Sequence, residues 1–365
     1  MRIEAPVLHR PHEDMSVDVL ELEEPREHEV RVRMVASGVC RSCLSVVDNS
    51  HTRTPKPVVL GDEGAGVVDA VGPRCRLAVG DHVVLSWSPG CGHCRWCLSG
   101  RPVLCVNKPG PGLMPDGSTR FRALDGTPVH HYGPASYAPY TVVPERAAIP
   151  VRKEMPLDVA ALIGCSVATG VGGVVNAARV RPGESVAVFG CGGIGLNAVQ
   201  GAALSGAHPI LAIDPVADRL RLAAELGATH GVLAGEEAAA EIARLTPQGL
   251  DHAVVAVGST QVLEQAVAAV GPAGQVVLLG NPPTGVTTTL SPHDILYGER
   301  RLVGSVYGSV NPPVDFPRFA ESYLAGRLKL DKLITHRYGI EDANAAFRAL
   351  AAGEQARGLI VFPEP

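Results

Sequence analysis

The chain carries no basic excess, no long apolar run and no uncharged N-terminal stretch. Its 32 Lys and Arg stand against 37 Asp and Glu, a formal net charge of −5. Such a balance lacks the footprint expected of a binder of nucleic acid or anionic membrane. No run of about 18 apolar residues is available to cross a bilayer. The opening MRIEAPVLHRPHEDM is charged throughout, unlike a secretory signal, so a cytoplasmic location is expected. Solenoid repeats and low-complexity tracts are also missing. What is abundant is apolar material: 46% of the 365 residues are hydrophobic and only 19% charged. That composition supplies cores for the two to three domains a chain of this length suggests. The 41 glycines and 30 prolines therefore read as tight turns and close backbone approaches within folded structure, not as disorder.

Nine cysteines, an odd number in a chain without an export signal, argue for metal ligands or reactive thiols over a disulfide scaffold. Four of them, Cys91, Cys94, Cys97 and Cys105, follow a C-x2-C-x2-C-x7-C spacing. This is the pattern of a tetrahedral zinc site with four thiolates, which leaves no position for substrate and is structural.

Residues 1–165 read as short β-type runs broken by Gly and Pro, among them VRVRMVASGV and DHVVLSW. Beyond them apolar strands alternate with helical stretches: SVAVFG, PILAID, HAVVAVG and QVVLLG each precede or follow an Ala/Leu-rich segment. Alternation at this interval specifies an α/β architecture, a parallel sheet covered on both faces.

Within it, Gly190-Cys191-Gly192-Gly193-Ile194-Gly195 follows a strand and opens a helix, the context a dinucleotide fingerprint requires. Gly190 permits the turn, Gly192 lets the backbone approach a pyrophosphate, and Gly195 permits close helix–strand packing. Phosphates would rest on the helix N-terminus. Asp214 ends the next strand, where a carboxylate binds ribose hydroxyls and repels a 2′-phosphate, favouring NAD over NADP. Arg219, one turn into the following helix, is placed to reach the same ribose.

A β-rich domain with a four-cysteine lobe, then a Rossmann domain, then a return to the first resembles the zinc-dependent alcohol dehydrogenases of the medium-chain dehydrogenase/reductase family. GVCRS (38–42), LGDEGAGVV (60–68) and IGCSVATG (163–170) resemble that family's three catalytic-zinc segments. GLMPDGSTRF (112–121) and ARGLIVF (356–362) resemble its class I and class III branches. The resemblance implies a GroES-like catalytic domain, 1–166 and 306–365 with the zinc lobe at 88–110, and a Rossmann domain at 167–305. It also implies a homodimer formed through the Rossmann sheets.

Carried across by position, Cys40 and Cys165 match the thiolate ligands of a catalytic zinc, and Ser42 the hydroxyl that takes the substrate proton. Glu63 matches a second carboxylate at the metal, and Thr169 and Ile194 residues beside the nicotinamide. Arg41 and Arg357 match cations on the pyrophosphate, while Trp87, Tyr137 and Asn281 fall at substrate-pocket positions.

The chain departs from the family at the metal. The middle ligand is usually a histidine in a G-H-E triplet, whereas here the triplet is Gly61-Asp62-Glu63. The carboxylate that orients the histidine, three residues after the first cysteine, is replaced by Cys43. Ligand and partner thus differ together. Asp62 is a competent zinc ligand, and the charge of the neighbourhood is kept, because a carboxylate has moved inward. Two thiolates and an aspartate leave the site more negative by one than two thiolates and a neutral histidine, which weakens the Lewis acid. Ser45 stands where the family often ends its proton relay with histidine, and His51 is the nearby loop histidine that could replace it.

Three readings follow. The first is an NAD-dependent oxidoreductase interconverting a small-molecule alcohol and an aldehyde or ketone with zinc assistance. The second keeps hydride transfer but reduces a conjugated C=C or C=N bond, with a weakened or absent catalytic zinc. The third is a non-catalytic dinucleotide-binding protein stapled by the four-cysteine zinc. Intact Ser42, Cys165 and glycine loop favour an enzyme.

Overall fold

The structure, a computed structural model, describes residues 1–50 and 54–363. The chain divides into two compact units. The first comprises Met1–Cys165, Asn311–Gly326 and the segment from Leu330 on; the second comprises Ser166–Val310 and Arg327–Lys329.

In the first unit, strand Glu29–Gly38 alternates Val30, Val32, Met34 and Ala36, all buried, with the half-buried Arg31 and Arg33. That period of two gives a strand with one face in the core. It is the hub of a seven-stranded sheet among the described residues, pairing with Gly64–Val71, Tyr140–Pro144 and Arg357–Val361. A second sheet closes into a small barrel of Arg2–Leu8, Ser16–Leu22, Phe121–Ala123, Pro128–His131 and Val58–Val59.

The antiparallel register sets Ser37 opposite Gly64. The turn after one strand, which carries Cys40, therefore lies beside the residues before the next, Asp62 and Glu63. Cys40 then caps the short helix Arg41–Val47. Gly164 admits the third segment: a Cβ there would fall 2.7 Å from the Leu85 carbonyl of the same sheet. Only a glycine lets the backbone carrying Cys165 approach so closely.

The second unit has six parallel strands among the described residues. In spatial order they are His230–Leu233, Ile210–Asp214, Val186–Phe189, Leu250–Val255, Val270–Leu278 and Arg301–Gly304. Numbered by appearance the order is 3-2-1-4-5-6, that of a Rossmann sheet. Val186–Phe189 and Ile210–Asp214 are buried along their whole length, as strands covered on both faces must be. The turn Val306–Ser309 belongs with this unit, five residues past the expected 305/306 boundary. Gly308, at φ +64°, lies so near the Ala168 carbonyl that a Cβ would come within 2.0 Å of it. Arg327–Lys329 joins it too, the Lys329 amide donating to Gln200 at 2.7 Å. No single helix among the described residues is long and apolar enough to cross a membrane.

Candidate active site

In the first unit three buried groups converge. The Sγ atoms of Cys40 and Cys165 lie 3.6 Å apart, and Asp62 Oδ2 is 3.8 Å from Cys165 Sγ. The three donor atoms all fall within 4.8 Å of one another. Tetrahedral zinc with bonds of about 2.3 Å to sulfur separates its sulfur ligands by about 3.7 Å, so the spacing fits the metal. Three protein donors are also the number of a catalytic zinc, the fourth position being left to water or substrate. Cys40 is held below the ordinary thiol range by its hydrogen bond with Cys165, while Cys165 is pushed well above it by the same contact and by burial.

Asp62 is fixed from several sides. Gly61 has φ +119°, and a Cβ there would strike Ser136 and the Tyr137 amide. The Ser136 amide donates to the Gly61 carbonyl at 3.1 Å. The Ser42 hydroxyl lies 2.9 Å from Cys40 Sγ and donates to Asp62 Oδ2. The other carboxylate oxygen, Oδ1, accepts from the Cys43 thiol at 3.4 Å. Cys43 is fully buried, and burial followed by the charge of Asp62 keeps its thiol protonated, well above the ordinary range. Ser45 Oγ turns back to the Ser42 carbonyl at 2.6 Å and so does not extend a relay. His51 lies outside the described residues.

Three expectations are corrected here. Glu63, expected among the metal ligands, lies outside the converging group. Its carboxylate pairs with Arg357 Nη2 and is seated against Gly38. Arg357, expected at the pyrophosphate, is accordingly buried, 5% exposed, against that carboxylate. Tyr137, expected on the pocket wall, has no exposed surface. Its hydroxyl donates to the Gly38 carbonyl at 3.2 Å and its ring meets Phe347 edge-on.

The aromatic that sequence reasoning missed is Tyr132, half-buried against the cluster holding Cys40, Cys43 and Cys165. Burial, and then the charge of Asp62, pushes its phenol far up. Trp87 is half-buried just past strand His82–Leu85, and Arg41 is exposed at the start of its helix.

The four-cysteine lobe forms a second donor group. Cys94 Sγ lies 3.5 Å from Cys97 and 3.9 Å from Cys105, and Cys91 lies 4.0 Å from Cys97. All four sulfurs are mutually within 4.8 Å, again the spacing of tetrahedral thiolate zinc. Backbone amides point at them: Cys91 and Asn107 N–H reach Cys105 Sγ at 3.3 and 3.4 Å, and the Cys94 amide reaches Cys91 Sγ at 3.4 Å. The His93 amide, first among several such donors, draws Cys91 down to about 5, whereas burial raises Cys97 to about 11. Amide donors of this kind stabilise sulfur as thiolate, the form that binds metal.

The second unit holds the glycine loop. Gly190 has φ +91°, and a Cβ on Gly195 would come within 1.7 Å of the Gly190 carbonyl. At Gly192, by contrast, a Cβ would meet nothing within 4 Å, and the residue is exposed. The loop therefore needs glycine at 190 and 195 for its own packing, while Gly192 leaves open space where a pyrophosphate approaches. Helix Gly193–Leu204 begins at the loop, with Gly193 and Ile194 half-buried. Asp214 Oδ2 accepts the Cys191 amide at 2.7 Å, Oδ1 accepts the Val216 amide at 2.9 Å, and Arg219 Nη1 lies 3.7 Å from Oδ1. Thr169 is buried and Asn281 exposed in this same unit.

A Rossmann sheet with an intact glycine loop, joined in sequence to a β-rich unit with two cysteine-centred donor groups, defines a zinc-binding dehydrogenase. Residues 26–153 match the alcohol dehydrogenase GroES-like domain, and residues 193–324 match the zinc-binding dehydrogenase family. An NDMA-dependent alcohol dehydrogenase of Amycolatopsis methanolica is 40% identical over 373 residues, covering 99% of each chain. An S-(hydroxymethyl)glutathione dehydrogenase of Paracoccus denitrificans is 35% identical, covering 99% of this chain and 100% of its own. Among solved structures, benzyl alcohol dehydrogenase from Acinetobacter calcoaceticus superposes with a TM-score of 0.94 at 32% identity, both chains covered in full. The chain belongs to the zinc-dependent alcohol dehydrogenases of the medium-chain family, oxidoreductases that use zinc and a nicotinamide cofactor to interconvert alcohols and carbonyl compounds.

Proposed function

We propose that this oxidoreductase is NAD-dependent and acts on a partly apolar alcohol or aldehyde, with a catalytic zinc held by Cys40, Asp62 and Cys165 and a structural zinc held by Cys91, Cys94, Cys97 and Cys105. The single observation that carries the reading is the convergence of Cys40, Cys165 and Asp62 at tetrahedral spacing. When bound, zinc polarises the substrate oxygen and the nicotinamide carries the hydride.

The chain's own part is positional and protonic. Ser42, donating its hydrogen to Asp62, presents the remaining lone pairs of Oγ to the substrate hydroxyl and so orients its proton. With Ser45 bonded to backbone, that proton does not leave through Ser45. Tyr132, packed against the cluster that holds the two cysteines, gives the site an aromatic neighbour, which suits a benzylic or medium-chain alcohol, in keeping with the benzyl alcohol dehydrogenase likeness. Asp214, 2% exposed at the end of its strand, supports NAD over NADP because a carboxylate there favours ribose hydroxyls over a 2′-phosphate.

Homodimerisation through the second unit is supported by its edge strand Arg301–Gly304, where Leu302 is 45% exposed, and by the exposed Leu296 and Tyr297 beside it. An exposed apolar edge of this kind is suited to pairing with another strand.

The test is metal analysis joined to NADH absorbance. Two zincs per chain are expected, with NAD reduction by benzyl and medium-chain alcohols. Asp62→Ala is expected to hold one zinc and lose the activity. A single zinc in the unaltered protein, with turnover of enones but not alcohols, favours the C=C reductase reading instead.

A further inference from the structure

The two oxygens of Asp62 do not share one environment. Oδ2 faces the reacting side, within 3.8 Å of Cys165 Sγ and accepting from Ser42. Oδ1 faces the interior, where the Cys43 thiol meets it at 3.4 Å. Cys43 lies three residues after Cys40 in the first turn of helix Arg41–Val47, so both point from the same side of that turn. It is fully buried among Val46, Tyr137, Ala346 and Phe347. Backbone freedom at Asp62 is already removed, with Gly133 packed so closely that a Cβ on it would come within 3.0 Å of Asp62 Cα. What remains to be fixed is the rotation of the carboxylate.

That rotation matters for an aspartate as it does not for a histidine. A carboxylate can ligate through one oxygen or both, and the two-oxygen mode would take up the coordination position that a catalytic zinc reserves for substrate. From this geometry we infer that Cys43 is a positioning residue of the metal site, its thiol engaging Oδ1 so that Asp62 ligates through Oδ2 alone. The inference rests on the proposed zinc centre. It gives a reason for the joint exchange at 43 and 62: an oxygen ligand needs a donor behind it, where a histidine needs an acceptor.

The experiment compares Cys43→Val, which keeps bulk but removes the donor, with Cys43→Ser, which keeps a donor. Zinc release from the holoenzyme is titrated with a chelator, and the visible spectrum of the cobalt-substituted enzyme reports coordination number. The four-cysteine lobe serves as internal control, since retained lobe zinc shows that a variant has folded. Loss of an orienting partner of this kind typically weakens metal binding about 10- to 100-fold.

The expected result is that Cys43→Val releases its second zinc at least about tenfold more readily, with a cobalt spectrum shifted toward higher coordination. Cys43→Ser is expected to stay within about threefold of the unaltered protein, well short of that range. The inference is overturned if Cys43→Val holds the second zinc as tightly as the unaltered enzyme, or if Cys43→Ser loses it equally. One zinc in the unaltered enzyme would sink the zinc-centre reading and this inference together, whereas two zincs with indifferent Cys43 variants would sink only this one.

Discussion

Asp214 Oδ2 accepts the amide of Cys191 at 2.7 Å, tying the end of one strand to the glycine loop that follows its neighbour. The carboxylate proposed to read the cofactor ribose therefore also holds the loop proposed to cradle the pyrophosphate.

Replacing Asp214 by alanine should consequently do two things. A hydrogen bond to a charged group contributes about 1.5–3 kcal/mol, so the KM for NAD should rise about 10- to 100-fold through the lost ribose and loop contacts. The KM for NADP should rise less, because repulsion of the 2′-phosphate is relieved at the same time. Steady-state kinetics with both cofactors decide the matter. If the two KM values rise by the same factor, Asp214 only braces the loop and does not select the cofactor.

Gly192 and Gly195 sit three residues apart in one motif yet should fail differently. At Gly195 an added methyl meets the Gly190 carbonyl within 1.7 Å, and at Gly192 it meets nothing within 4 Å. Gly192 also has φ −77°, a conformation alanine accepts. Gly195→Ala should lower the melting temperature of the protein without cofactor, whereas Gly192→Ala should leave it unchanged and weaken NAD binding. Thermal melts with and without NAD separate the two. An unstable Gly192→Ala would mean that the residue serves packing and not the approach of a ligand.

How much of this was legible in the sequence depended on whether the signal was local. The cysteine lobe and glycine loop could be read because each is complete within a few residues and its chemistry demands that spacing. The return of the chain to the first unit followed from resemblance over its whole length. Resemblance alone places Glu63 at the metal, and its pairing with Arg357, 294 residues further on, has no local signal in the sequence. Tyr137 is expected on the pocket wall, and Tyr132 carries no expectation at all. The turn between them, with Gly133 at φ +59° and Ala135 at φ +52°, decides which ring is buried and which meets the thiols. No periodicity in the sequence encodes that. The Cys43–Asp62 contact joins residues 19 apart, and only the exchange at both positions hinted at it.

His131 sets a pH dependence of stability. Its Nδ1 meets the Gly133 carbonyl at 2.8 Å, while Nε2 is buried with no partner among the described residues. Burial, above all, lowers its pKa below the ordinary 6.5, which disfavours the charged ring. On acidification below pH 6.5 the unfolded chain takes up the proton before the folded one does, so stability present above that pH is lost as the pH falls through the folded value. His131→Gln keeps an amide donor toward Gly133 without a titrating ring. Urea unfolding at pH 7 and pH 5.5 should show a smaller loss for the variant than for the unaltered protein. Equal losses would assign the acid sensitivity to other groups.

The exchange at positions 43 and 62 can be run backwards. Asp62→His alone would set an imidazole against the Cys43 thiol, which offers its second ring nitrogen no strong acceptor. Cys43→Asp alone would place two carboxylates in one buried pocket, where like charges oppose each other. Together the two changes supply a neutral ligand and the carboxylate that orients it, and they lower the negative charge on the metal relative to the present site. The double variant should oxidise alcohols with a higher kcat than either single variant, and its two effects should be strongly non-additive, as those of contacting residues are. Zinc content measured on the same samples separates a better Lewis acid from a merely fuller site. A double variant no better than Asp62→His, at equal zinc content, would show that the two positions were exchanged independently.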